Sequence, residues 1–255
     1  ASGQAPEDYH VPRGFTLQEE IGRAFRIAQA QWKAYGATLE RTDLDAAARA
    51  RAFVEEFLRD ALGYADAHAT APRIVGERSF PLSLQAAANI PVVVAPATLD
   101  LDDPDPAFAP SFAHSGGGAR KKSPFQLLQE YLNAEPEARW GLASNGRKLR
   151  LARDAATLTR PSFIEFDLET MLGQARYPDF AALWRLLHAS RATRTPEPVW
   201  ELWRADGQRE GARVREGLRI GVEAALVTLG EGFLKHPANE PLRRALIAGD
   251  LKRQA

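Results

Sequence analysis

The chain has 255 residues, enough to bury a sizeable core in one large domain or in one domain with an appendage. Thirty-three Lys and Arg balance thirty-three Asp and Glu, so no global charge draws it to nucleic acid and any such surface must be local. Cysteine is absent, which excludes disulfides and thiolate chemistry and fits a cytoplasmic location. No apolar run is long enough to cross a bilayer, so no membrane partner is expected.

Residues 1–14 are polar and contain proline, and are expected to form a loosely held, flexible arm. A helix is predicted over 15–35, opened by Thr16 with Glu19 three positions on. A second is predicted over 43–62, with Gly63 as its C-cap. The period then changes. Residues 73–84 read as strand, and Ile90-Pro91-Val92-Val93-Val94-Ala95 as a strand buried on both faces. It exits into the acidic turn Leu99-Asp100-Leu101-Asp102-Asp103-Pro104, and a Pro/Ser/Gly-rich, mobile loop is expected over 103–122. Ser123-Pro124 starts a helix in the N-cap/N1 arrangement that runs to about Asn133.

Residues 139–154 form the clearest local signal, a β-hairpin turned by Asn145-Gly146. In its second strand Leu149 and Leu151 are expected to face a core, while Lys148, Arg150 and Ala152 point the other way. Another strand is predicted around 162–167, followed by helices over 167–174, 178–191, 198–206, 208–234 and 239–248. A boundary near 193–198 gives three segments: the arm 1–14, an α/β module over 15–194, and a helical connector over 195–255. The fold class expected is α+β, a mixed α/β core with a helical C-terminal appendage.

The order helix, helix ending in Leu-Gly-Tyr, strand, buried strand ending in acids, helix, basic hairpin resembles the PD-(D/E)xK nuclease-like core. The run Ser123-Pro124, Leu128-Gln129-Glu130-Tyr131-Leu132-Asn133, Trp140-Gly141-Leu142, Ser144-Asn145-Gly146, Leu149-Arg150-Leu151 and Arg153-Asp154 is more specific. It is similar to the N-terminal region of type IIG-like fused restriction–modification enzymes and of large adenine-specific phage-defence DNA methyltransferases. The likeness continues through Ile164-Glu165-Phe166-Asp167, Trp184, His188-Ala189-Ser190-Arg191 and Gly232-Phe233-Leu234, spanning most of residues 45–250. It implies double-stranded DNA as a partner, and a C-terminal methyltransferase domain of the same polypeptide that is missing here. The missing initiator methionine and the abrupt end after a helix also read as a piece of a longer chain. No Asn-Pro-Pro-Tyr/Phe motif or Gly-rich cofactor loop occurs, so S-adenosylmethionine is not expected to bind this segment.

A metal-dependent phosphodiesterase needs carboxylates to hold Mg²⁺ and a lysine near the attacking water. Candidate catalytic acids are Glu20 (with Glu19 as alternative) on the first helix, Glu77, and the pair Asp100 and Asp102, which are also the candidate Mg²⁺ ligands. The family pattern places Glu-x-Lys on the buried strand, whereas this sequence offers Asp100-Leu101-Asp102 with no lysine nearby. The competing reading is a solvated acidic turn closed by Pro104. A nuclease-like fold with a degenerate centre is the expectation, with an active Mg²⁺-dependent endonuclease as an alternative.

Candidate DNA contacts are Arg147, Lys148, Arg150, Arg153 and Arg160, the loop residues Arg120, Lys121 and Lys122, and Ser144 and Asn145 at the hairpin tip. The alternative for this set is a solvated basic strand face balanced by Glu130 and Asp154. The tryptophans read as packing residues, and His188 as a hydrogen-bonded packing residue. Leu218, Val222, Leu226, Leu229 and Phe233 make a helical stripe that must pack on something. A non-catalytic scaffold docking a methyltransferase domain or partner subunit is therefore the other functional reading.

Overall fold

The computed structural model describes residues 4–87, 89–112, 121–154, 162–193 and 196–247. The chain divides into two compact units, Ala1–Val199 and Trp200–Ala255.

The first unit is built on a mixed six-stranded sheet, so the fold is α+β. Its strands are β1 (His68–Ala69), β4 (Leu84–Ala86), β5 (Ile90–Val94), β7 (Trp140–Ser144), β8 (Lys148–Arg153) and β9 (Phe163–Asp167), in spatial order β1-β4-β5-β7-β8-β9. All neighbours are antiparallel except β5 and β7, which are parallel and joined through α3 (Pro124–Ala134). Pro91 lacks an N–H, and it sits just before the segment Val92–Val94 that is in register with β7. The predicted strand over 73–84 is instead a hairpin of β2 (Arg73–Val75) and β3 (Arg78–Phe80), turned at Gly76-Glu77. With β6 (Ser111–Phe112) it forms a second, three-stranded sheet. The remainder of the expected mobile loop, 113–120, lies outside the described residues.

Two helical layers sandwich the large sheet. On one face lie α1 (Leu17–Gly36), α2 (Ala46–Glu56) and α4 (Leu168–Gly173), against which Val92, Leu142, Leu149 and Leu151 are buried. The Thr16/Glu19 capping box opens α1 as expected, and Asp45 caps α2. A π-helical turn, Phe57–Ala61, extends α2 to Leu62 and Gly63. On the other face α3 packs Phe125, Leu128 and Tyr131 against Val93, Ala143 and Ala152, together with Phe80 and Leu82. This second layer corrects the expectation for β8. Both of its faces are covered, so Arg150 and Ala152 are buried as well as Leu149 and Leu151.

The N-terminal segment is held rather than loose. Pro6–Tyr9 forms a 3₁₀ turn whose Tyr9 is buried, stacked 5.1 Å from Trp184 and capped by the Arg191 guanidinium 3.9 Å from its ring. Trp184 and His188 belong to the corner between α5 (Tyr177–Leu187) and α6 (Ala189–Ala192). The two helices expected over 198–234 are one continuous helix, α7 (Val199–Lys235). Gly207 falls in its interior with open space around it, a weak spot in propensity but not a break. A short α8 (Glu240–Ile247) follows.

Candidate active site and nucleic-acid interface

The hairpin tip is organised by its own side chains. Gly146 takes φ +79°, which only glycine adopts without strain. Asn145 Oδ1 accepts from the backbone N–H of Arg147 and Lys148 at 3.1 and 2.9 Å, and its Nδ2 donates to Leu99 O at 2.9 Å. Ser144 Oγ donates to Lys148 O and accepts from Gly146 N. Asn145 and Ser144 are therefore spent on tying the turn together and to the segment after β5. This corrects their assignment as phosphate contacts.

The Leu99 anchor sets Asp100 and Asp102 beside β8. Lys148 Nζ donates to Asp100 Oδ2 at 2.9 Å, and Arg150 grips Asp102 with two bonds of 2.7 and 2.8 Å. Arg150 Nε donates to Glu165 Oε2 at 2.5 Å across the β8–β9 ladder. Its guanidinium lies over the rings of Phe163 (4.3 Å) and Phe125 (5.1 Å), which themselves meet edge to face at 5.0 Å. The hydrogen bond from Lys148 holds the Asp100 carboxyl below its ordinary pKa, and that from Arg150 does the same for Asp102. Reciprocally, Asp100 raises Lys148, and Asp102 with Glu165 raises Arg150.

Of the four candidate catalytic acids, Asp100 and Asp102 are brought together, and Glu20 and Glu77 are not brought to them. Glu77 is exposed at the tip of the β2–β3 hairpin. Glu20 lies on α1, paired with Arg23, whose hydrogen bonds lower its pKa. It lines a pocket of about 520 Å³ with Tyr9, Tyr64 and His188. Glu19 is committed to the Thr16 cap. Strand β5, where the resemblance would place Glu-x-Lys, carries no carboxylate and is buried throughout. Among the described residues no group of three or more Asp, Glu or His is placed to hold a metal ion. The donor set does not fit Mg²⁺: both aspartates already hold cationic side chains, which a divalent ion would have to displace.

The expected cations fare unequally. The Arg150 side chain is 4% exposed and cannot reach a phosphate in this arrangement, and Lys148 is ion-paired. Lys122 pairs with Glu130, and Arg153 donates to Asp154 O. Lys121 is exposed. Arg147, 42% exposed at the turn, has among the described residues one partner at its guanidinium, Glu169 Oε2 at 3.2 Å. Arg160 and Arg120 lie outside the described residues.

Sequence reasoning missed Glu165, Phe125 and Phe163 as partners of Arg150. The alternation of β9 held the signal, since Phe163, Glu165 and Asp167 share the face on which β8 presents Arg150 and Lys148.

No family model matches this chain, and no curated protein or solved structure matches it. Among the described residues no helix is long and apolar enough to cross a membrane.

Proposed function

We propose that this chain is the N-terminal, nuclease-like module of a bacterial, cytoplasmic restriction–modification or phage-defence DNA methyltransferase, associated with duplex DNA and not competent to cleave it. The observation that carries the reading is the fate of the acids. Strand β5 lacks the expected Glu-x-Lys, and Asp100 and Asp102 are neutralised by Lys148 and Arg150. In this role the former centre is a structural lock that fixes the 99–103 segment against β8 and holds the hairpin turn rigid. Arg147 and Lys121 then supply phosphate contacts that position a duplex without reading its sequence.

The second reading, a scaffold that docks the methyltransferase domain or a partner subunit, is favoured by α7. Leu218, Val222, Leu226, Leu229 and Phe233 are all exposed along it.

The test is duplex-DNA binding over a salt series, with and without Mg²⁺, followed for cleavage in the same samples. Binding that weakens steeply with salt and leaves the DNA intact supports the first reading. Cleavage lost in Asp100→Ala would instead establish an active endonuclease. Absence of binding at low salt leaves the scaffold.

A further inference from the structure

One edge of the large sheet is open. β9 ends the strand order, and among the described residues only β8 pairs with it. An unpaired edge presents a row of free backbone N–H and C=O groups, and folded proteins ordinarily blunt such an edge with proline, bulges or cover. Over its described span β9 has no proline, and among the described residues no element covers it. Phe163 and Ile164 are 44% and 47% exposed and point to opposite faces of the sheet, so both faces of the edge are apolar and wet. Phe163 is already braced from within by Phe125, ring to ring at 5.0 Å, and by Arg150. The edge is therefore rigid as well as open.

Beside the edge runs a groove of about 300 Å³ whose lining includes Glu165, Phe166, Asp167, Met171, Arg176 and Asp179. Three of its eight lining residues are carboxylates: Asp179 pairs with Arg176, the one cation of the lining, at 3.4 Å, and Glu165 accepts from Arg150 through Oε2. Among the described residues Asp167 accepts from the Thr170 N–H and hydroxyl and meets no cationic side chain. A neighbouring strand thus encounters backbone donors and acceptors, an apolar residue on each face, and acidic side chains at alternate positions.

We propose that the open edge of β9 is a docking site for an extended basic peptide segment, which adds a seventh strand by β-augmentation and places cations against Glu165 and Asp167. Main-chain bonds to the edge give affinity, and the alternating side chains give specificity. A second copy of this chain is a poorer occupant. Full two-fold pairing of β9 with itself would set Glu165 against Glu165 and Phe163 against Asp167, with like charges directly opposed. The proposal is independent of whether the Asp100–Asp102 region ever held a metal.

The experiment uses the full chain and a fluorescein-labelled peptide of about ten residues of alternating Lys and Val, long enough to span one strand. Anisotropy should report saturable binding, and amide exchange over 163–167 should slow about fivefold or more on addition of peptide, with β7 unchanged. A Glu–Val peptide should bind about tenfold more weakly, as should Lys–Val against Ile164→Lys, whose circular dichroism is expected to match that of the parent. A Lys–Val peptide N-methylated at alternate amides, unable to pair as a strand, should lose binding. Equal binding by the N-methylated peptide would reduce the effect to simple charge attraction, and absence of protection over 163–167 would remove β9 as the site. Protection that grows with protein concentration in the absence of peptide would assign the edge to a second copy. Any of these overturns the proposal.

Discussion

Arg150 holds Asp102 in a two-pronged ion pair although the two residues are 48 positions apart in sequence and sit on different faces of exposure. The arginine side chain is 4% exposed, and the aspartate is mostly in water. This asymmetry sets the energetics. The cation cannot be solvated if its partners leave, whereas the carboxylates can.

Arg150→Ala should therefore cost about 3 kcal/mol, combining the lost pairs to Asp102 and Glu165 with the void left beside Phe125 and Phe163. Lys148→Ala, in a pair 36% exposed on the lysine side, should cost less than about 1 kcal/mol. Urea unfolding reads both as midpoint shifts at constant slope. Equal costs would mean that the lock at Arg150 is no stronger than a surface pair.

Much of this arrangement was legible in the sequence and some of it was not, for identifiable reasons. The caps at Thr16 and Ser123, the buried β5 and the Asn145-Gly146 turn are all local signals, and each element stands where they place it. The fate of Arg150 was not local. Alternation along β8 correctly puts Arg150 opposite Leu149, but it cannot say that α3 returns to cover that second face. The ion pairs with Asp100 and Asp102 depend on the Asn145–Leu99 bond, which joins segments 46 positions apart. The helices expected over 198–206 and 208–234 part at Gly207, and α7 runs through it because glycine weakens a helix interior by only about 1 kcal/mol.

His188 makes stability depend on mildly acidic pH. Burial, then the nearby Arg191 and His10 charges, push its pKa from 6.5 down to about 4, and Glu20 opposes this only weakly. The unfolded chain then binds more protons between these values, so the contribution is fully present above pH 6.5 and is lost as pH falls towards 4. The loss amounts to about 3 kcal/mol. His188→Asn retains an oxygen able to accept from Ser190 N–H in place of Nδ1, and should flatten the stability profile across this window. Asp100 and Asp102, whose pKa values are lowered, act in the same direction only at more acidic pH, below the ordinary carboxylate range. Parallel pH profiles for the variant and the parent would rule His188 out as the titrating group.

Gly146 and Tyr35 form a second tight contact beneath the hairpin turn. A Cβ on Gly146 would lie 2.5 Å from Tyr35 Oη, and the φ of +79° adds backbone strain for any other residue. Gly146→Ala should cost about 2–3 kcal/mol. Tyr35 Oη is buried with no hydrogen-bond partner among the described residues, so Tyr35→Phe should be neutral or stabilise by up to about 1 kcal/mol. Combining the two should recover part of the Gly146→Ala loss, because the atom most in the way has been removed, while the φ strain remains. A thermodynamic cycle over the four proteins measures that coupling, and strict additivity would show that the clash is relieved elsewhere.

Arg147 is the residue on which association with DNA should turn. It stands at the rigid tip, its side chain is 42% exposed, and among the described residues its one guanidinium partner is Glu169, itself exposed on α4. Exchanging Glu169 for a phosphate costs little there, since a pair so open to water contributes at most about 1 kcal/mol. Arg147→Ala should weaken duplex binding uniformly across sequences and reduce the slope of log affinity against log salt by about one. Glu169→Ala frees the guanidinium and should strengthen binding at low salt. Arg150→Lys changes a cation that the duplex cannot reach and should leave the slope as it is. A slope insensitive to Arg147 but altered by Arg150→Lys would mean that the lock opens on DNA, with Asp102 surrendering its partner to a phosphate.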